Sequence, residues 1–123
     1  QEGVNLPFIH CVQNTEGWQL DDAVQAAMPE NATIVHKPTF GSTELVKIIG
    51  EYVAQYGEPN VHMEIVGLCT DICVVSNALI EKAFYPEMPI TLDAKCCAGV
   101  TPATHDAAIA TMRMCQINVI NAD

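Results

Sequence analysis

The run IVGLCTDICVVSNAL, from Ile65 to Leu79, constrains the fold more than any other part of this 123-residue chain. Ile65 and Val66 read as a buried strand, Gly67 as a sharp turn, and Thr70–Asp71 as the start of a helix. Cys73 then falls in the first turn of that helix. A helix N-terminus carries partial positive charge and unpaired N–H groups, and these favour a thiolate over a thiol. An open α/β sheet builds its active site at the carboxyl ends of its parallel strands. On residue type alone Cys73 reads first as an inert core thiol. Its place at a helix start favours the reactive reading.

The rest of the chain repeats the alternation of strand and helix. Residues 33–36 (Thr-Ile-Val-His) read as a short strand, and 43–56 as a helix with Leu45, Ile48, Ile49, Tyr52, Val53 and Tyr56 at helical spacing. Ser42 or Thr43 is placed to cap it, and Gly57 to end it. A strand follows at 61–67 and the Cys73 helix at 71–84. Pro86 and Pro89 enclose a loop, Ile90–Leu92 forms a strand ending at Asp93, and 102–115 forms a helix with Pro102 in its first turn. Ala108, Met112 and Cys115 share one face of that helix, and Ile117–Ile120 is a last strand. The expected fold is α/β: three layers, α/β/α, on a mainly parallel, Rossmann-like sheet. The first thirty residues fit poorly, because Gln1–Trp18 reads as loop. A sheet protein opening on a long loop, with Gln1 in place of Met, suggests a preceding segment and a first strand missing from this stretch.

Composition narrows the function classes. The formal net charge is −10, with five Lys plus Arg, which argues against nucleic acid and anionic membrane surfaces as partners. Half the residues are hydrophobic and mean hydropathy is +0.19, so the chain has the material for a packed core. No apolar run approaches the roughly 18 residues that span a bilayer. The expected partner is a small molecule. The six cysteines, Cys11, Cys69, Cys73, Cys96, Cys97 and Cys115, fall in strand and helix contexts and form no CxxC pair. That pattern suits reduced thiols and a cytoplasmic protein. Cys11, Cys96, Cys97 and Cys115 read as small buried hydrophobes.

The run GLCTDICVVSNAL resembles the nucleophile motif of the isochorismatase-like cysteine hydrolases, the superfamily that includes nicotinamidases. Three more stretches resemble it in order and rough spacing. HKPTFGSTEL (His36–Leu45) is similar to the lysine segment. HCVQNTEGWQL (His10–Leu20) is similar to the His-Cys-Val-x-Gly-Thr segment, with Asn14 in place of the usual glycine. LDAKCCAGVTPATH (Leu92–His105) is similar to the strand, loop and helix that follow the nucleophile helix. The resemblance covers nearly the whole chain and makes it one partial domain.

The resemblance implies a Cys nucleophile, Cys73, and a lysine, Lys37, in place of its ordinary reading as a solvated surface residue. A cation beside a thiol favours the thiolate, and a carboxylate general base handles the proton. Attack on an amide carbonyl gives a thioester and ammonia, and water then hydrolyses the thioester. The resemblance further implies oxyanion donors at the backbone N–H groups of Cys69 and Cys73, and a cis peptide between Leu68 and Cys69. A Cys69–Cys73 redox pair is the competing reading, at a spacing unlike CxxC. Phe40 stands where an aromatic lines the substrate pocket, or else packs in the core. Trp18 covers either a pocket or an interface.

Two parts of the implied machinery are not found. The general-base aspartate lies at the end of an earlier strand, upstream of His10. Asp71 reads as part of the helix-start turn and Asp93 as a strand-end residue bonding nearby loop backbone, so neither takes that role. Nicotinamidases hold a divalent metal (zinc, manganese or iron) through an Asp-x-His pair and a later His. His10 matches the later His, and Glu2 is a candidate for an extra carboxylate, one residue off the pattern. Their plainer readings are a surface histidine and a solvated terminal residue. Two protein ligands rarely hold zinc. His36 is placed to orient Lys37, while His62 and His105 have no constellation around them.

The sequence therefore reads as part of a cysteine amidase of nicotinamidase type. The alternatives are a superfamily amidase acting on carbamoyl or ureido substrates, and a non-catalytic interaction or metal-binding domain that keeps the fold. Little or no catalysis is expected from these residues alone. An uncovered sheet edge predicts a homo-oligomer or a bound N-terminal piece.

Overall fold

The computed structural model describes residues 8–122. The chain divides into two compact units, Gln1–Val35 and His36–Asp123. Glu2, a candidate metal ligand from the sequence, lies outside the described residues.

In the first unit, a 3₁₀ turn at Glu16–Trp18 precedes a short helix, α1 (Asp22–Ala27). Helix α1 was not expected, but its signal is in the sequence: the Asp21 side chain accepts the Ala23 N–H at 2.9 Å, an N-cap bond. Asn14 has a φ of 67°, the left-handed region that glycine or asparagine adopts most readily. That explains how asparagine serves where the resembling segments carry glycine. Residues 33–36 form no strand, because no ladder partner stands beside them among the described residues, and Ile34 is exposed.

The second unit holds the sheet. Helix α2 spans Thr43–Tyr56, β1 Met63–Leu68, helix α3 Val75–Phe84, β2 Ile90–Ala98, helix α4 Pro102–Met114 and β3 Asn118–Ile120. The strands are parallel in the order β1-β2-β3. Three described strands thus stand where the sequence pattern suggested four.

Local chemistry explains the boundaries. Ser42 Oγ accepts the Leu45 N–H at 3.1 Å and starts α2, and Gly57, at φ 83°, ends it. Thr101 and Thr104 form a reciprocal capping pair at the head of α4, with Pro102 behind it. Strand β2 runs well past Asp93. Ile65 faces Leu92 while Gly67 faces Cys97, so β2 carries extra residues as a bulge through 93–96. Asp93 braces that bulge by accepting the Lys95 N–H (3.1 Å) and the Asn121 amide (3.0 Å). Gly67 sits opposite the irregularity at φ 117°, a conformation that a side chain would strain.

The core lies where α3 and α4 meet the sheet. Met88, Leu92, Met112 and Ala78 are fully buried, with Ile65, Ile90, Ile109 and Ile117 around them. Burying each large apolar side chain contributes roughly 1.5–3 kcal/mol. Val66, expected inside, is exposed, because successive strand residues face opposite ways and only Ile65 points into this core. The other cysteines are not the buried hydrophobes expected. Cys11 is exposed at a left-handed turn position, Cys96 on the bulge, and Cys115 just past the last turn of α4, so it does not join Ala108 and Met112 inside. Cys97 is half-buried, and desolvation by burial raises its pKa above the usual thiol value. No helix among the described residues is long and apolar enough to cross a membrane.

Candidate active site

Strand β1 delivers the chain to a tight helix start. The Leu68–Cys69 peptide is cis, the geometry the resemblance assigns to that bond. A single π-helical turn, Thr70–Val74, follows and leads straight into α3. The Cys69 carbonyl accepts the N–H groups of Ile72 (3.1 Å) and Val74 (3.0 Å), which winds the turn wider than an α-helix. Cys73 sits inside this turn, half-buried and outside any disulfide.

Two contacts hold the turn against α4 and the loop before it. Thr70 Oγ1 and His105 Nδ1 are 2.8 Å apart, with Thr70 fully buried. Asp71 Oδ2 accepts the Val100 N–H at 2.9 Å. Burial pushes the Asp71 carboxyl up, but hydrogen bonds from Thr104 and Val100 and the nearby His105 outweigh it and hold the group below its usual range. Asp71 Oδ2 thus braces the turn through Val100, while Oδ1 is buried without a hydrogen-bond partner among the described residues. Gly99 permits the close approach, since a Cβ there would stand 2.9 Å from the His105 Cβ and 3.0 Å from Asp71 Oδ2.

Lys37 reaches the same place from 36 residues earlier. Its Nζ lies 3.2 Å from Cys73 Sγ and donates to the Thr39 carbonyl at 3.2 Å. The ammonium stands where it compensates the charge of a thiolate. The loop carrying it is drawn tight by Thr39 Oγ1, which donates to the Gly41 carbonyl at 2.7 Å. Phe40 follows on this loop, half-buried.

Sequence reasoning passed over Asn77. One turn beyond Cys73, its Nδ2 donates to the carbonyls of Cys73 (2.8 Å) and Phe40 (3.1 Å), and its Oδ1 accepts the Ser42 N–H at 2.9 Å. The local signal was only an amide inside a helix, where Asn is a poor helix former. Its partners are far away in sequence.

The arrangement can present a thiolate beside a fixed cation. Among the described residues, no carboxylate hydrogen-bonds or ion-pairs with Lys37 or Cys73; the one salt bridge is Lys47–Glu44 on the outer surface of α2. His10 is exposed, with Nδ1 2.8 Å from the Phe8 carbonyl. No group of three or more His, Cys, Asp and Glu stands together to hold a metal among the described residues. One histidine does not make a zinc site, so the donors among the described residues do not fit a metal. His62 pairs with Thr91 Oγ1 at 2.9 Å, away from this turn.

The isochorismatase-domain sequence profile matches residues 6–123. The chain belongs to the isochorismatase family. Solved structures of similar fold include a nicotinamidase from Bacillus subtilis (TM-score 0.76, 21% identity, covering 95% of this chain and 65% of that one). A zinc-bound pyrazinamidase from Pyrococcus horikoshii is also similar (0.65, 25%, 91% and 61%). So is an isochorismatase-like hydrolase from Alkaliphilus metalliredigens (0.72, 18%, 95% and 60%). This isochorismatase-family chain spans less than two thirds of the length of each of these structures. No curated protein sequence matches it.

Proposed function

We propose that this domain carries the nucleophile and its lysine for a hydrolase that cleaves the C–N bond of a small amide, with nicotinamide the first substrate to test. The observation that carries the reading is the 3.2 Å approach of Lys37 Nζ to Cys73 Sγ at the carboxyl end of β1. The Cys73 thiolate attacks the amide carbonyl carbon. The C–N bond breaks, the nitrogen takes up a proton and leaves as ammonia, and a thioester remains. Water adds to the thioester and releases the acid and the free thiol. The proposed oxyanion donors are the backbone N–H groups of Cys69 and Cys73, on either side of the π-turn's start. Phe40 is proposed as an aromatic wall for a flat substrate.

The proton transfers need a base, and no described carboxylate meets Cys73 or Lys37. We therefore expect these 123 residues alone to react with alkylating agents yet turn over amides at background rate. The protein as the cell makes it is the form to assay. Ammonia release from nicotinamide, with carbamoyl and ureido compounds alongside, and its loss in Cys73→Ala, would support the reading. A carbamoyl or ureido preference would move the substrate within the same chemistry. No ammonia from any small amide, with Cys73 unreactive to iodoacetamide, would sink it in favour of a non-catalytic domain.

A further inference from the structure

We propose that Asn77 is the positioning residue of this site, fastening the 37–42 loop to the nucleophile's helix and so setting the distance between Lys37 and Cys73. The proposal rests on Cys73 and Lys37 forming a working pair.

The carboxamide can stand only one way round. Two carbonyls, those of Phe40 and Cys73, require the NH₂ group, and the Ser42 N–H requires the oxygen. Both donors and the acceptor are therefore engaged, at 3.1, 2.8 and 2.9 Å. One of these bonds anchors the amide to the Cys73 peptide itself. The other two cross to the loop, on either side of Gly41. Gly41 lies flat against the helix there, where a Cβ would stand 3.7 Å from the Ser76 Cβ and carbonyl oxygen. The loop has no ladder or helix of its own between Pro38 and Gly41. A long lysine side chain leaving such a loop keeps a fixed reach only when the loop backbone is held. Asn77 supplies that hold from the element that carries the sulfur. Its third bond also fixes the N-cap residue of α2, so the loop is pinned where it becomes helix.

A serine at 77 can still donate to the Cys73 carbonyl one turn back, as helical serines do, but it is too short to reach the loop. Asn77→Ser thus separates the helix-side bond from the loop bonds, and Asn77→Ala removes both. The readout is the rate of Cys73 alkylation by iodoacetamide across pH 5 to 10, followed by mass spectrometry, with circular dichroism as the check of fold. Both variants are expected to alkylate roughly fivefold more slowly at pH 7, a loss of the size expected of Lys37→Met when the cation is removed. Because Asn77 acts through Lys37, the double variant Lys37→Met/Asn77→Ser should be no slower than Lys37→Met alone. A parental profile in folded Asn77→Ser overturns the proposal, and so does a double variant whose losses multiply. If Asn77→Ala fails to fold, Asn77→Ser carries the test. Alkylation reports on the thiol itself. If the amidase reading fails, ammonia release is absent while this pattern stands; if the Asn77 proposal fails, the pattern is absent whatever the ammonia assay shows.

Discussion

Glu81 in α3 is fully buried, and neither carboxylate oxygen has a hydrogen-bond partner among the described residues. The adjacent Lys82 is turned away, donating to the carbonyls of Pro86 (2.7 Å) and Met88 (3.4 Å). Desolvation alone pushes the Glu81 carboxyl up from 4.5 to about 7. The folded state therefore holds a proton that the unfolded chain has released between these two pH values. By linkage, stability is greatest below about 4.5, falls as pH rises through 7, and then levels off. Each pKa unit corresponds to about 1.4 kcal/mol, so the full loss is at most about 3.5 kcal/mol, a large share of a small domain's stability. The perturbation to make is Glu81→Gln, which keeps the shape of the protonated side chain and cannot ionise. Urea unfolding of both proteins from pH 5 to pH 9 is the assay. The two should be similar near pH 5, and the variant should be more stable by about 2–3 kcal/mol at pH 9. Parallel curves across that range would show that Glu81 finds a partner or water in solution, and would refute the argument.

Three further outcomes follow from the geometry. Lys37→Met should slow alkylation of Cys73 at pH 7 by about five- to tenfold, the worth of one unit charge at hydrogen-bond distance in a water-like dielectric; an unchanged rate would separate the two residues functionally. Gly50→Ala, normally a gain of about 1 kcal/mol in a helix interior, should instead destabilise. A Cβ at Gly50 collides with the Tyr85 hydroxyl, which donates to the Val46 carbonyl at 2.8 Å, so thermal unfolding should shift down and Gly50→Ala/Tyr85→Phe should recover part of the loss. Asp71→Ala should free the Val100 N–H, read as a lower hydrogen-exchange protection factor at Val100, and in the parent that protection, taken relative to the intrinsic exchange rate, should hold until acid protonates Asp71 below its usual range.

Much of this protein is legible without coordinates, and the reasons are local. Helix α2 is written in its own residues: an apolar period of 3.6, Ser42 as cap, Gly57 as stop. Capping and periodicity act within a few residues, so they survive in the sequence. The Cys73 turn is legible for the same reason, as a strand, a glycine and a helix start in one short run. The cis Leu68–Cys69 bond and the significance of Lys37 came through the resemblance, since nothing in the residues alone requires either.

Tertiary structure decided what depends on neighbours distant in the chain. Residues 33–36 have strand-like composition, yet a strand exists only with a partner, and none is described beside them. Strand β2 outruns Asp93 because β1 pairs with its far end across the bulge. Cys96 and Cys115 have the composition of core residues, but backbone placement turned them to solvent. Glu81 shares its helix face with Val74 and Ala78, and only packing made that face interior. The sequence determined that a cysteine would open a helix after a strand, because that geometry is coded by adjacent residues. Only the fold brought Lys37 and Asn77 to it, because hydrogen bonds between residues 35 to 37 positions apart leave no mark in either segment.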